Sequence, residues 1–391
     1  MSRTPPHLAT LTLLNAVSML SLNMILPSLP SMAADLRAPG TVVTLAVSGY
    51  MLVSAVIQIV MGPLSDRLGR RPVMLGAFAI YTAASLGCVL AEDVTLFLVF
   101  RFVQAVVVAG TVLSSAVIRD MFERREAASK LGSIAAMMGL APMLGPMVGG
   151  FLDTAVGWRT IFALYTGLGA VALLAVFVDL GETRRRSTAP LRMADYATLL
   201  RSVHYWGYVL CAAFSVGTFY VFIAGSPFVS ARVFGLSPAM VGLGVGSITG
   251  GFIIGAALTS RLAMRMGPGR LILAGRLAAL AGLGIGLALF AAGAVHPLFL
   301  FGSTISVGFG NGLTIANANA GAISVRPDLA GTAAGLAGAL SIGIGAGLTW
   351  GTALFLELHT APIVLLTLMI ACVMISLGAA IVALRRDREG A

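Results

Sequence analysis

Apolar residues run along this chain in long blocks, broken by short polar stretches in which arginine and glycine recur. A bilayer core of about 30 Å takes about 20 consecutive apolar helical residues. Read with that window, the pattern predicts twelve spans, at 8–28, 43–61, 73–91, 96–116, 131–153, 159–179, 203–223, 238–259, 271–292, 297–318, 331–355 and 361–384. An even number places both ends of the chain on one side. The longest polar stretch, "ETRRRSTAPLRMADYATLLRSVHYW" from Glu182 to Trp206, divides the spans six and six. The expected organisation is an N-terminal bundle over 1–181, a cytoplasmic central loop over 182–202 and a C-terminal bundle over 203–391.

Composition strengthens this picture. Of the 391 residues 58% are hydrophobic and 10% charged, with a mean hydropathy of +0.97, whereas soluble domains carry about 25% charged residues. Water cannot solvate a globule of that make-up, so the expected class is an all-α, multi-pass membrane protein. With both ends inside, 20 of the 25 cationic side chains are cytoplasmic, among them Arg3, Arg124, Arg125, Arg184, Arg185, Arg186 and Arg192. Only Arg37, Arg159 and Arg232 lie outside, while Arg101 and Arg276 fall within spans. This follows the positive-inside rule. The pI of about 10.4 then reflects topology and attraction to anionic lipid heads, not nucleic acid.

The remaining inventory excludes other classes. Cys88, Cys211 and Cys372 are odd in number and lie in apolar runs, which argues against disulfides and metal sites. The histidines sit at span ends, and neither a nucleotide-binding loop nor a histidine–acid cluster is present. No cleavable signal is read at the N-terminus, and no soluble catalytic or signalling domain is expected. The sequence implies no enzyme activity, no cofactor and no metal.

Two loops echo one another. After the second span comes "GPLSDRLGRRPVMLGA", Gly62 to Ala77; after the eighth comes "GAALTSRLAMRMGPGRLILAG", Gly255 to Gly275. Corresponding loops in the two halves imply two pseudo-symmetric six-helix units, the repeat layout of one large class of transporters.

The residues Gly62, Leu64, Asp66, Arg67, Gly69, Arg70 and Arg71 resemble the signature loop of the major facilitator superfamily. "RFVQA", Arg101 to Ala105, resembles the fourth-span motif of its proton-linked members. "GPMVGG", Gly145 to Gly150, resembles the fifth-span motif of drug antiporters; Gly132 fits its upstream glycines, and Ala141 departs from them. Within the superfamily the chain is most similar to the Bcr/CflA group of bicyclomycin and chloramphenicol/florfenicol exporters. That likeness is carried by "MILPSLPSMAADL" in span 1, Gln58, "VIRDMF" after span 4 and "GWRTIF" opening span 6.

The motifs have physical readings. Gly69 frees the turn between spans 2 and 3. Asp66 is an anion at a span end, suited to pair with Arg119 or to face the positive N-terminal end of span 11 near Gly331. With Gly62, Arg67, Arg70 and Arg71 it makes the expected cytoplasmic gate. The alternative is a solvated loop that sets orientation only. Gly145, Pro146, Gly149 and Gly150 carry a helix-propensity penalty of about 1–3 kcal/mol each, tolerated where close packing offsets it. With the ridge Gly242, Gly246, Gly250, Gly251 and Gly255 they predict tight packing of spans 5 and 8 as an interface hinge. Gly343, Gly347 and Gly351 suggest a matching ridge on span 11.

Arg101 and Gln104 share a face (i, i+3), which suggests a polar cavity wall; snorkelling of Arg101 is the plainer alternative. As the resemblance implies, spans 1, 4, 7 and 10 enclose the substrate cavity. Thr218, Phe219 and Phe222 of span 7 and Asn311 and Asn317 of span 10 are then expected there, apolar and amide walls suited to drug-sized compounds.

Asn23 is the departure. In the related exporters span 1 offers an acid at this point for proton carriage, and an amide cannot titrate. The acids of this chain lie at span ends, in loops or in tails. Asn23 is expected to line the cavity and hydrogen-bond near Arg101 in place of an ion pair; a plain interhelical amide contact is the alternative. Three readings stay open: a facilitator, coupling through an acid at the cavity mouth such as Asp35, or an Asp-to-Asn change deliberately introduced. The resemblance implies a monomeric exporter of small organic compounds in a bacterial inner membrane, exchanging them for protons. The alternative is a facilitator or exporter of an endogenous metabolite.

Overall fold

The computed structural model describes residues 6–123, 126–127, 130–131, 134, 141–183, 198–326, 329–359 and 361–389. Arg3, Arg124, Arg125, Gly132, Arg184, Arg185, Arg186, Arg192 and most of the central loop lie outside them. The described residues are helical throughout apart from short connections, and eleven helices are long and apolar enough to cross a membrane. The fifth expected span lies partly outside the described residues; its described part is Ala141–Ala155.

The chain divides into two compact units, one of Met1–Ala189 with Ser237–Gly242, the other of Pro190–Leu236 with Leu243–Ala391. In unit 1 the first span is two helices, α1 (Leu8–Asn23) and α2 (Leu29–Asp35), joined through a 3-10 turn at Leu26–Ser28. Pro27 and Pro30 explain the break, since each removes an N–H donor and crowds the preceding turn. Next come α3 (Gly40–Leu68) and α4 (Arg70–Leu90). Gly69 joins them at φ 103°, a backbone state that a side chain strains. The fourth span is also interrupted, as α5 (Val94–Gln104), a 3-10 turn at Ala105–Val108, and α6 (Ala109–Met121). The helices α7 (Ala141–Ala155) and α8 (Arg159–Asp179) complete the set.

Within unit 1, α1 packs against α6, α7 and α8, and α4 against α5 and α8. Gly110 permits the first of these contacts: a Cβ there would stand 2.8 Å from the Leu14 carbonyl oxygen and from Ser18 Oγ. Phe97, Trp158, Phe162 and Tyr165 stack edge to face between α5 and α8, a geometry favoured by the ring quadrupoles.

Unit 2 is built from α9 (Val203–Phe234), α10 (Pro238–Met266), α11 (Pro268–Ala291), α12 (Pro297–Ser324), α13 (Ala330–Leu358) and α14 (Pro362–Glu389). The most buried is α9, which packs on α12, α13 and α14, while α11 packs on α12 and α14. A reciprocal glycine seam joins α10 to α12. Gly251 and Gly255 lie against the carbonyls of Ile305 and Phe309, and Gly308 and Gly312 lie against those of Ile248 and Phe252. Without side chains the two backbones approach closely enough for extensive dispersion contact.

The first turn of α10 belongs to unit 1 because Gly242 meets the Pro146 carbonyl and Gly150 meets that of Pro238. The expected span 8 ridge therefore splits. Gly242 serves α7, and Gly251 and Gly255 serve α12. Gly250 meets nothing within 4 Å among the described residues, and the same is true of Gly343, Gly347 and Gly351.

Candidate functional site

The polar centre of unit 1 is built on Arg101, wholly buried on α5. Its Nε donates to the Ala46 carbonyl at 2.9 Å and its Nη2 to the Ser21 carbonyl at 2.8 Å. Nη1 donates to Gln104 Oε1 and reaches Ser21 Oγ at 3.5 Å. The guanidinium lies over the Tyr50 ring, 4.1 Å from its centroid, a cation–π contact strengthened by the dry surroundings. Gln104, also wholly buried, passes the network on from Nε2 to Ser85 Oγ at 2.7 Å. Arg101 thus ties α5 to α1 and α3 with neutral acceptors, and neither it nor Gln104 is exposed as a wall.

The bond expected between Asn23 and Arg101 does not form. Asn23 Nδ2 donates to the Met19 carbonyl at 2.8 Å, and its Cβ faces Gly145. Ser21 stands where Asn23 was expected, because two residues turn about 200° around a helix and carry Asn23 onto the α7 side. Gln58 on α3 is half-buried.

At the other end of unit 1 the signature loop closes on itself. Arg70, 7% exposed, binds Asp66 at 2.7 Å, Asp120 at 3.1 Å, and Ser65 Oγ. Arg119 is exposed, and the expected partner role falls to Arg70, one turn along the chain from Asp66. Arg67 is exposed, Gly62 half-buried, and Gly69 buried. Glu182 accepts the backbone N–H groups of Arg70 at 2.9 Å and Arg71 at 3.3 Å, placing an anion at the positive end of α4. The Arg71 guanidinium donates to the Phe177 carbonyl at 2.8 Å. Asp120 and Glu182 were not read from the sequence as members of this cluster. Asp120 stands in the quoted "VIRDMF" run, and Glu182 opens the central loop.

The opposite end of unit 1 holds a second polar group. Asp35 accepts from Arg159 and from Trp158 Nε1, the latter at 3.0 Å. On α7, Gly145, Gly149 and Asp153 follow at i+4 steps on one face. Gly145 meets Asn23, Gly149 meets Met24, and Asp153 accepts a hydrogen bond from Ser31 at 2.5 Å. Thr154 accepts the Ala239 N–H at 3.0 Å. Pro146 and Gly150 face the first turn of α10.

Unit 2 has its own buried cation, Arg276 on α11, fully enclosed. Its Nε donates to Thr314 Oγ1 at 3.0 Å and its Nη2 to Asn311 Oδ1 at 2.8 Å, while Nη1 has no partner among the described residues. Arg276 was noted in the sequence as a charge within a span but not as a site residue; a lone arginine on an apolar helix carries no further local signal. Asn317 donates to the Leu313 carbonyl of its own helix at 2.8 Å. Thr218 and Phe222 are wholly buried, Thr218 bonded to the Phe214 carbonyl at 2.8 Å and Phe222 edge-on to Phe301. Phe219, 100° around α9, is half-buried.

Comparison with known proteins adds an outside reference. A family model described as Major Facilitator Superfamily matches residues 11–349. The chain is 34% identical over 225 residues to a chloramphenicol resistance protein of Pseudomonas aeruginosa, a match covering 56% of this chain and 54% of that protein. It is 27% identical over 377 residues to a bicyclomycin resistance protein homolog of Haemophilus influenzae, covering 94% and 93% of the two chains. Among solved structures it is similar in fold to a bacterial homolog of the human lysosomal transporter Spinster, with a TM-score of 0.75 at 17% identity, covering 97% of this chain and 96% of the other.

Proposed function

The chain belongs to the Major Facilitator Superfamily and is a multi-pass membrane transporter, and from that premise we propose that it exports small, uncharged organic compounds by alternating access in exchange for protons. The observation that carries the drug-export reading is the match to the bicyclomycin resistance protein homolog along 94% of the chain. The geometry narrows the class of cargo. Arg101 gives its donors to Ala46, Ser21 and Gln104, and Arg276 gives two of its groups to Thr314 and Asn311. Charges so enclosed do not serve as counter-ions for an ionic compound, so the substrate is recognised by apolar contact and a few neutral hydrogen bonds.

Expression in a drug-sensitive bacterium, challenged with phenicols, bicyclomycin and charged dyes, tests the reading. Raised tolerance to the neutral compounds is the expected result. Unchanged susceptibility together with flux of a metabolite would assign the chain to endogenous export instead. Flux in proteoliposomes with and without a pH gradient decides coupling: equal rates would leave a facilitator.

A further inference from the structure

A proton-exchanging transporter needs a carboxyl that binds and releases a proton, and the non-titrating Asn23 cannot provide it. We propose that Asp153 is the proton-binding residue of this transporter, held by Ser31 against the broken first span. The proposal rests on the proton-exchange reading above and names its titrating site.

Three observations converge on Asp153. It is 9% exposed, although its position near the end of an apolar run marks it in the sequence as an interfacial acid. Among the described residues it forms no ion pair with any arginine, lysine or histidine. It also shares a helical face with Gly145 and Gly149, the face that meets the first span at Asn23 and Met24. A carboxyl there lies against the broken first span, reached from the neighbouring helix.

The hydrogen-bond accounting points to the neutral acid. Ser31 Oγ lies 2.5 Å from Asp153 Oδ2 and 2.9 Å from the Ser28 carbonyl oxygen. A hydroxyl has one hydrogen. With Asp153 ionised, two acceptors compete for it, and a buried negative charge has no cation. With Asp153 protonated, its O–H donates to Ser31 Oγ and Ser31 donates to the Ser28 carbonyl, while the buried Ser28 Oγ has no partner of its own among the described residues. A buried carboxylate without a cation is costly, so loss of the proton favours parting of α2 from α7 and entry of water. The only covalent change is at the Oδ2–H bond, and the proton comes from water and returns to it.

The surrounding groups leave Asp153 this role. Besides Ser28 and Ser31, the elements packed on this part of α7 are α1, α8 and the first turn of α10. Their charged and titratable groups, with those of α2, are Asp35, Arg159, Tyr165 and Asp179. Arg159, the nearest cation by position, is bound to Asp35. The Tyr165 hydroxyl donates to the Leu20 carbonyl at 2.8 Å. Asp179 lies at the far end of α8, bonded to Thr10 and the His7 backbone. The residue after Asp153, Thr154, holds the first turn of α10 through Ala239.

The test uses the full-length transporter. Infrared spectra recorded across a pH series should show the C=O band of a protonated acid that titrates, and Asp153→Asn should abolish that band. In proteoliposomes loaded for gradient-driven uptake of radiolabelled chloramphenicol, Asp153→Asn should lose the dependence of uptake on pH, and Asp153→Glu should recover it at a shifted midpoint. Ser31→Ala keeps the carboxyl but removes the hydroxyl that partners it, so the midpoint of the infrared titration should shift. A titrating band that survives Asp153→Asn, or a midpoint unmoved by Ser31→Ala, overturns the proposal. Failure of the wild type to move chloramphenicol would count against the export reading alone, because the infrared titration is read without any substrate.

Discussion

Gly149 stands so close to Met24 that a Cβ on it would overlap the Met24 carbonyl oxygen. Both partners are backbone, so neither can yield by changing rotamer. Gly149→Ala is therefore expected to destabilise the transporter by about 1–3 kcal/mol, the usual range for overpacking. Gly250→Ala, where a Cβ meets nothing within 4 Å, is expected to leave the thermal midpoint unchanged or slightly raised. Unfolding of the two purified variants side by side checks this; equal midpoints would show that the α7 seam is not a close contact.

The contrast between those two glycines also shows what the sequence could and could not convey. The spans are written in hydropathy, because lipid imposes one apolar length on every crossing. The signature loop was legible from its spacing. What a glycine or an acid touches depends on the neighbouring helix, and no local pattern records that. Asp153 reads as a span-end acid until α2 is folded against α7, and Asp66 reads as a partner for Arg119 until the Gly69 turn brings Arg70 over it. Asn23 was expected at Arg101, and a rotation of two residues decided otherwise.

The two buried arginines differ in how completely they are used. Arg101 serves two backbone carbonyls, Gln104 and the face of Tyr50. Arg276 serves two side chains and leaves Nη1 without a partner among the described residues. Arg101→Met should therefore lower stability by about 2 kcal/mol more than Arg276→Met, since each buried acceptor left short of a donor costs about 1–3 kcal/mol. Denaturation of both variants in the same detergent measures the difference, and a larger loss at Arg276 would contradict it.

Glu182 is expected to hold the start of α4 by charge as well as by hydrogen bonding. Glu182→Gln keeps one oxygen acceptor but carries no charge to the helix N-terminus, a loss of about 0.3–1 kcal/mol at low salt. Salt screens exposed charges, so the gap between variant and parent should narrow as ionic strength rises. Thermal midpoints taken at low and high salt would show it, and a gap independent of salt would assign the effect to hydrogen bonding alone.

Asn23→Asp tests the environment of the amide directly. The Nδ2 group gives its hydrogen to the Met19 carbonyl at 2.8 Å, and the Cβ faces Gly145 so closely that a Cβ added there would stand 3.1 Å away, so the side chain has little room to turn away. An ionised aspartate would set two oxygens against that carbonyl with no hydrogen between them. A protonated one would keep a donor. The variant should therefore match the parent most closely at acid pH and fall below it as the pH rises, by about 1–3 kcal/mol once ionised, the penalty for a buried acceptor left unpaired. The parent carries no titrating group at this position, so the difference between the two proteins isolates the new carboxyl. Thermal midpoints of both, measured across the same pH series, decide the matter: parallel profiles would mean that residue 23 reaches water and is not held between Met19 and Gly145.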